Sequence, residues 1–285
     1  MKNTFENNKA SGIEKKEIIE KALFLSREII KRTQIKEADF QELYGKEEIE
    51  RDSNYVEKRT NDFKNSNQEN SENAKLGEIF EAITAVAREW FGKNTQTIKT
   101  SRYDDIANGI DLIAELSKDE EGIFVGEIGL AIDVTFSNEF EDKLEKIRKE
   151  IDEDRLPKIK YFESKKRKIK GQLSDVVRVV ITASKETVLE LSETLISATK
   201  NPKILFENQF QFQALEEIII QLKTYQRYAQ SLGRKDLAER FQKALSLMLY
   251  VKKERTQTIE DKKERDSAFD KLESYLSSDF QTSIN

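Results

Sequence analysis

The chain has 285 residues, a net charge of −5, 37% hydrophobic and 36% charged residues, which suits one sizeable domain with accessories, or two domains, and calls for long exposed helices. It has no cysteine and no histidine, which excludes disulfides, thiolate zinc sites, histidine bases and Ser-His-Asp triads. Chemistry is left to carboxylates, lysine, tyrosine, serine and threonine, and oxygen-only ligands favour magnesium, manganese or calcium over zinc.

Residues 13–51 read as helical, with Ile18, Ile19, Ala22, Leu23, Leu25, Ile29 and Ile30 at helical spacing and a second short helix over 37–51. The stretch 52–73 is polar and asparagine-rich, which predicts a linker. A third helix is expected from Asn73 to Phe91, ended by Gly92. TQTIKTS (95–101) is β-prone, and RYDDIAN (102–108) reads as a loop. Two strand-like runs follow, 109–116 and 123–136, joined by the polar hairpin-type connection 117–122. Then come a charged helix over 139–152, a connector over 153–175 with Pro157, the β-branched strand 176–183 and an amphipathic helix over 185–199. From Ile204 onward the pattern is helical, with a helical pair, 216–229 and 237–251, around Gly233. Tyr225, Tyr228, Phe241 and Tyr250 at helical spacing read as core. The predicted organisation is an N-terminal helical segment (1–51), a linker (52–73), an α/β core (74–199) and a C-terminal helical region (200–285). No apolar run approaches the ~20 residues that span a bilayer. The N-terminus lacks a signal-peptide core, so a cytoplasmic protein without membrane contact is expected.

The chemical interest lies between Lys75 and Ser137. Asp111 and Asp133 each sit among apolar residues in a strand-like run. A buried aspartate is costly unless paired, hydrogen-bonded or bound to a cation. Strand alternation puts Asp133 and Thr135 on one face and Ile132, Val134 and Phe136 on the other. Glu78 and Glu81 share a face of the preceding helix, and a helix packed on the sheet would let a glutamate reach the aspartates. Such a cluster suits one or two divalent cations, which lower the pKa of a bound water and neutralise a phosphate. Either aspartate alone also fits a hydrogen-bonded structural acid, and Asp111 follows the Asn108-Gly109 turn signal. Asp104 and Asp105 read as loop or capping acids, one of them an optional extra ligand. Glu127 shares strand parity with Asp133 and is a weaker candidate.

With helix, three strands, helix and strand in this order, residues 74–199 resemble the PD-(D/E)XK nuclease superfamily, the restriction-endonuclease-like fold. The resemblance implies an αβββαβ core with a mixed sheet, flanked here by N- and C-terminal helices. It places the family's helix glutamate at Glu81, in a G-x-x-F-E pattern from Gly77, with Glu78 as the alternative. The motif aspartate falls at Asp111 and the acid of (D/E)-x-K at Asp133. The lysine position departs, since Asp133-Val134-Thr135 holds threonine there. In the family this lysine orients or activates the attacking water. Lys143 and Lys146 on the next helix are the replacements in reach, with Lys160 a third. Thr135 remains able to hydrogen-bond a metal-bound water.

The run ESKKRKIKG places Lys165, Lys166, Arg167, Lys168 and Lys170 together. In a chain with no strong global positive field, phosphate binding needs such a local patch. A solvated connector is the competing reading, and Arg102 and Tyr103 are weaker nucleic-acid contacts. The resemblance implies a magnesium- or manganese-dependent nuclease, a hydrolase with endo- or exonuclease activity that binds nucleic acid, with DNA favoured. The alternative is a catalytically weakened nuclease-like fold serving as a nucleic-acid or protein binding module. A further alternative is a structural protein whose acids are incidental. The helical flanks are candidates for a homodimer contact.

Overall fold

The computed structural model describes residues 2–65, 71–92, 95–116, 128–136 and 140–280. Glu127 and the connection 117–122 lie outside the described residues. The chain opens with α1 (Lys2–Thr33), a short 3-10 turn (Glu37–Phe40), α2 (Gln41–Tyr44) and α3 (Lys46–Asn65). Next come α4 (Glu72–Val86), β1 (Gln96–Lys99), a π-helical turn (Asp104–Asn108), β2 (Leu112–Leu116) and β3 (Ile128–Phe136). The helix α5 (Phe140–Asp152), the strands β4 (Ile159–Ser164), β5 (Ile169–Leu173) and β6 (Val177–Ala183), and α6 (Lys185–Ala198) complete the middle. The end is helical: α7 (Lys203–Phe206), α8 (Phe210–Ser231), α9 (Lys235–Thr258) and α10 (Ser267–Asp279).

The protein is α/β. Its main sheet is mixed, with order β1-β2-β3-β6. The first three strands are antiparallel, and β3 and β6 are parallel, as a helical crossover between strands requires. Alternation sorts the strands into two faces. Leu112, Ala114, Leu130, Ile132 and Val134 join the large core beneath α4, which continues through α1, α5, α6, α8, α9 and α10. Ile98, Ile113 and Ala131 face the other way, onto Ile159 and Phe162 of β4.

Four elements differ from the sequence expectation, the first being residues 102–108, read as a loop, which are helical and include the π-helical turn over Asp104–Asn108. Residues 52–65, read as part of a polar linker, are helical in α3. After Ile49, buried at its start, the helix half-buries one narrow stripe, Asp52, Val56 and Thr60, at four-residue spacing, and exposes the other residues between 50 and 62. A stripe this thin leaves almost no apolar periodicity to read. The third helix ends at Val86, and residues 88–91 form a separate 3-10 turn before Gly92, whose φ is 120°. The basic connector over 153–175 contains the β4–β5 hairpin. Its second strand is largely exposed, so it lacks the alternation that marks a half-buried strand.

Both edges of the main sheet are covered. At β1, Ile35 N donates to Lys99 O at 3.2 Å. At β6, α8 supplies side chains in place of a strand. Gln221 accepts from Val180 N at 2.8 Å and donates to Val180 O at 2.7 Å, and Glu217 accepts from Thr182 N at 2.7 Å. An uncovered edge is a template for pairing with other chains, and here amides and a carboxylate at i, i+4 spacing occupy it. Of the aromatic residues read as core, Tyr225, Tyr228 and Phe241 are buried, and Tyr250 is only half-buried. No described helix is long and apolar enough to cross a membrane.

Candidate metal centre

The β2–β3 ladder pairs Leu112 with Ile132, and one step further along the same antiparallel register Asp111 lies opposite Asp133. The regular ladder ends there, with Asp111 N donating to Ile132 O at 3.2 Å, one residue out of the Leu112–Ile132 register. Beyond that step β2 has departed, and the next donor of β3, Val134 N, is taken by the Asp111 carboxylate at 2.6 Å. Both aspartates are buried, as is Thr135 on the Asp133 side of β3. Lys143 reaches back from α5 and pairs with Asp133 while also donating to Val134 O at 2.9 Å.

Three further groups complete the centre. Ile98 faces the hairpin, so Lys99, next along β1, faces α4. It is 1% exposed, pairs with Glu81 of α4 and lies 3.3 Å from Asp105 of the π-helical turn. Glu81, Asp105 and Asp111 each bring a carboxylate oxygen within 4.8 Å of the others. Three acidic oxygens gathered this closely are the donor type that a hard divalent cation takes.

Electrostatics make the centre short of positive charge. Four carboxylates, Glu81, Asp105, Asp111 and Asp133, face two ammonium groups, Lys99 and Lys143, which leaves two formal negative charges. The proton affinities register the imbalance. Burial pushes Glu81 up to about 8 despite Lys99, and raises Asp105 as well. Burial and Asp111 together push Asp133 up to about 7, against the pull of Lys143. Asp111 is the exception: burial opposes its ionisation, but Lys143, Lys99 and the Val134 N–H hold it below the usual carboxylate range. A divalent cation among these oxygens would cancel the two excess charges. Hard oxygen donors of this kind fit magnesium or manganese.

The other sequence candidates lie elsewhere. Glu78 is turned to α1, where Arg27 binds it at 3.0 and 3.2 Å; two residues three apart on a helix share a face only loosely, and the arginine decides which way this one points. Lys146 donates to Asn108 O at 2.7 Å and contacts none of the four carboxylates. Lys160 lies 2.5 Å from Asp52 and 2.6 Å from Glu48 of α3, among the rings of Tyr44, Tyr103 and Tyr161 at 5.2–5.3 Å. Asp104 is a structural acid: it accepts from Asn108 Nδ2 and from the backbone N–H groups of Lys160 and Tyr161. In the basic run, Lys165, Lys166, Lys168 and Lys170 are exposed. Arg167 lies 3.2 Å from Glu115, four residues along β2 from Asp111, so the hairpin tip sits ~13 Å along the sheet from the aspartates.

Two participants escaped the sequence reading. Lys99 looks like an ordinary exposed lysine in TQTIKTS, and only its parity against Ile98 signals an inward position. Arg178 is a lone cation inside VVRVVITA and is 1% exposed; a charge in a run that apolar was the available signal. Comparison with family models, curated proteins and solved structures gives no match.

Proposed function

We propose that this chain is a metal-dependent nuclease that hydrolyses phosphodiester bonds in nucleic acid, with DNA as the favoured substrate, on a restriction-endonuclease-like core. The observation that carries the reading is the charge imbalance at one end of the sheet. Four buried or half-buried carboxylates converge there from α4, the π-helical turn, β2 and β3. The sheet order β1-β2-β3-β6, with Glu81 on the preceding helix and Asp111 and Asp133 on adjacent strands, supports the fold assignment.

Glu81, Asp105 and Asp111 would hold magnesium or manganese. When bound, such an ion supplies Lewis-acid polarisation and neutralises charge on a phosphoryl oxygen. The protein's own groups do the positioning. Asp133 fixes Lys143, whose side chain is 28% exposed and so faces both the cluster and solvent. Lys143 stands in for the lysine that Thr135 replaces, orienting the water whose oxygen bonds to phosphorus as the bond to the leaving sugar oxygen breaks. The exposed lysines of the β4–β5 hairpin add salt-sensitive, sequence-blind affinity for the backbone.

The test is cleavage of single- and double-stranded DNA and RNA with manganese, comparing wild type with Asp133→Ala and Asp111→Asn. Loss of cleavage in both variants, with folding retained, is the expected result; full activity in either would refute the assignment. A second reading is favoured by Lys99, whose buried ammonium already bridges Glu81 and Asp105. In that reading lysines have replaced the metal and the fold binds nucleic acid without cutting. It predicts binding without any manganese-induced thermal stabilisation.

A further inference from the structure

Arg178 and Lys146 approach the same atom. Arg178 Nη2, from β6, and Lys146 Nζ, from α5 at 2.7 Å, both donate to the carbonyl oxygen of Asn108. Asn108 ends the π-helical turn and stands three residues after Asp105 and three before Asp111. A helix end presents its carbonyls and the negative end of its dipole, which suits two cations. Gly109, next in the chain, has φ 65°, and a Cβ built there would come 3.2 Å from Lys146 Nζ. The left-handed backbone is what favours glycine here, since the flexible end of Lys146 has only a few tenths of an ångström to give.

The arrangement is costly for what it contributes to folding. Arg178 is 1% exposed, and its Nε has no hydrogen-bond partner among the described residues. Its companion Glu150, 3.1 Å away, leaves Oε2 unbonded. A buried ion pair with incomplete hydrogen bonding is a poor source of stability compared with apolar packing. Its position explains it better. Lys143, Lys146 and Glu150 recur at i, i+3 and i+7 on α5, so one helix face touches Asp133, the Asn108 carbonyl and Arg178. The apolar stripe beside it, Phe140, Leu144, Ile147 and Ile151, is buried in the core and fixes that face against the sheet.

We infer that the Asn108 carbonyl is the anchor that sets the distance between Asp105 and Asp111, with Lys146 and Arg178 as positioning residues and Gly109 supplying the left-handed turn that follows the anchor. The inference rests on the metal reading above. It moves Lys146 from the chemistry to the support of the ligands, and it places Arg178, which contacts none of the proposed ligands, in the function of the site. Supports of this kind act through the groups they orient, and their removal typically weakens metal binding by about 10–100-fold.

Calorimetric titration of the full chain with manganese, without nucleic acid, tests it. Lys146→Met and Gly109→Ala are expected to bind manganese about 10-fold or more weakly than wild type. Lys146→Arg, which keeps a donor in reach of the carbonyl, is expected to recover most of that loss. Lys146 is exposed on α5, so Lys146→Met should melt within about 2 °C of wild type in EDTA, which separates lost positioning from lost fold. Manganese affinity unchanged in both Lys146→Met and Gly109→Ala overturns the anchor and leaves the metal reading standing. No manganese binding by wild type overturns the metal reading, and the anchor with it.

Discussion

Helix α8 lays Gln213, Glu217 and Gln221 along the β6 edge, and helix α5 lays Lys143, Lys146 and Glu150 along the end of the same sheet. Both are polar stripes at helical spacing pressed against strands, but their accounts differ. In α8 each buried polar group is answered: Gln221 bonds both backbone groups of Val180, and Glu217 accepts from Thr182 N, Thr182 Oγ1 and Gln213. Around α5 the groups are only partly answered. Among the described residues Glu150 Oε2 and Arg178 Nε lack hydrogen bonds, and the carboxylates outnumber their ammonium partners. Satisfied buried polarity specifies a fold, whereas unsatisfied buried polarity needs another explanation. The contrast is what separates a structural stripe from a functional one here.

Substitutions can break or sharpen that contrast. The largest effect should come from Asp111→Asn, which is expected to cut manganese-dependent cleavage by more than about 100-fold, beyond what loss of an outer support costs. Its melting temperature in EDTA should fall modestly, because Lys143, Lys99 and the Val134 N–H favour the ionised Asp111 in the folded state; outright unfolding of this variant would make Asp111 structural. Next, Gln221→Leu orphans the Val180 N–H and C=O and should cost about 2–4 kcal/mol in urea unfolding. A loss below about 0.5 kcal/mol would mean that the α8 stripe does not hold the edge.

Glu217 sharpens the comparison through pH. Burial pushes its pKa up to about 8, against the Thr182 and Gln213 hydrogen bonds that lower it. A raised carboxyl pKa means the folded state keeps a proton that the unfolded state releases. Stability therefore declines as pH rises from near 4.5, the ordinary value of a glutamate, to about 8, and levels off above it. Denaturation curves across that range should show a downward slope in wild type that is flattened in Glu217→Gln; equal slopes would remove Glu217 as the source. A smaller effect is expected at the hairpin. Lys165→Glu with Lys168→Glu should lower the salt dependence of nucleic-acid binding by about two phosphate contacts and leave stability within about 0.5 kcal/mol. The smallest belongs to Glu78→Gln. This breaks a partly exposed pair with Arg27, costs less than about 1 kcal/mol and leaves manganese affinity unchanged, unlike Glu81→Gln.

Much of the sheet was legible because its strands are apolar on the face beneath α4, so Asp111 and Asp133 stood out against Ile110, Leu112, Ile132 and Val134. The pairing of Lys143 with Asp133 was within reach of the sequence, since α5 follows β3 directly and a lysine one turn into the helix can fold back. Asp105 was harder. Nothing local distinguishes it from Asp104, and the two are told apart only by what meets them: backbone N–H groups of β4 for Asp104, Lys99 and the other carboxylates for Asp105. Helix α3 and strand β5 were unreadable because each buries too little apolar surface to impose a period. Both are held by contacts distant in the chain, which single-sequence patterns do not carry.

The Lys160 side chain among its tyrosines has a kinetic consequence. Its contact with Asp52 spans 108 residues, and Tyr44 OH donates to Lys160 O across 116. Closing a loop of that length has an entropic cost that grows with the logarithm of its size, and α3 has almost no apolar stripe to offset it locally. Helix α3 is therefore expected to dock after β4 and the Asp104 turn, as a late step of folding that stopped-flow refolding would resolve. Its amides are expected to exchange with solvent ahead of those of the sheet it rests against; equal protection would remove the distinction.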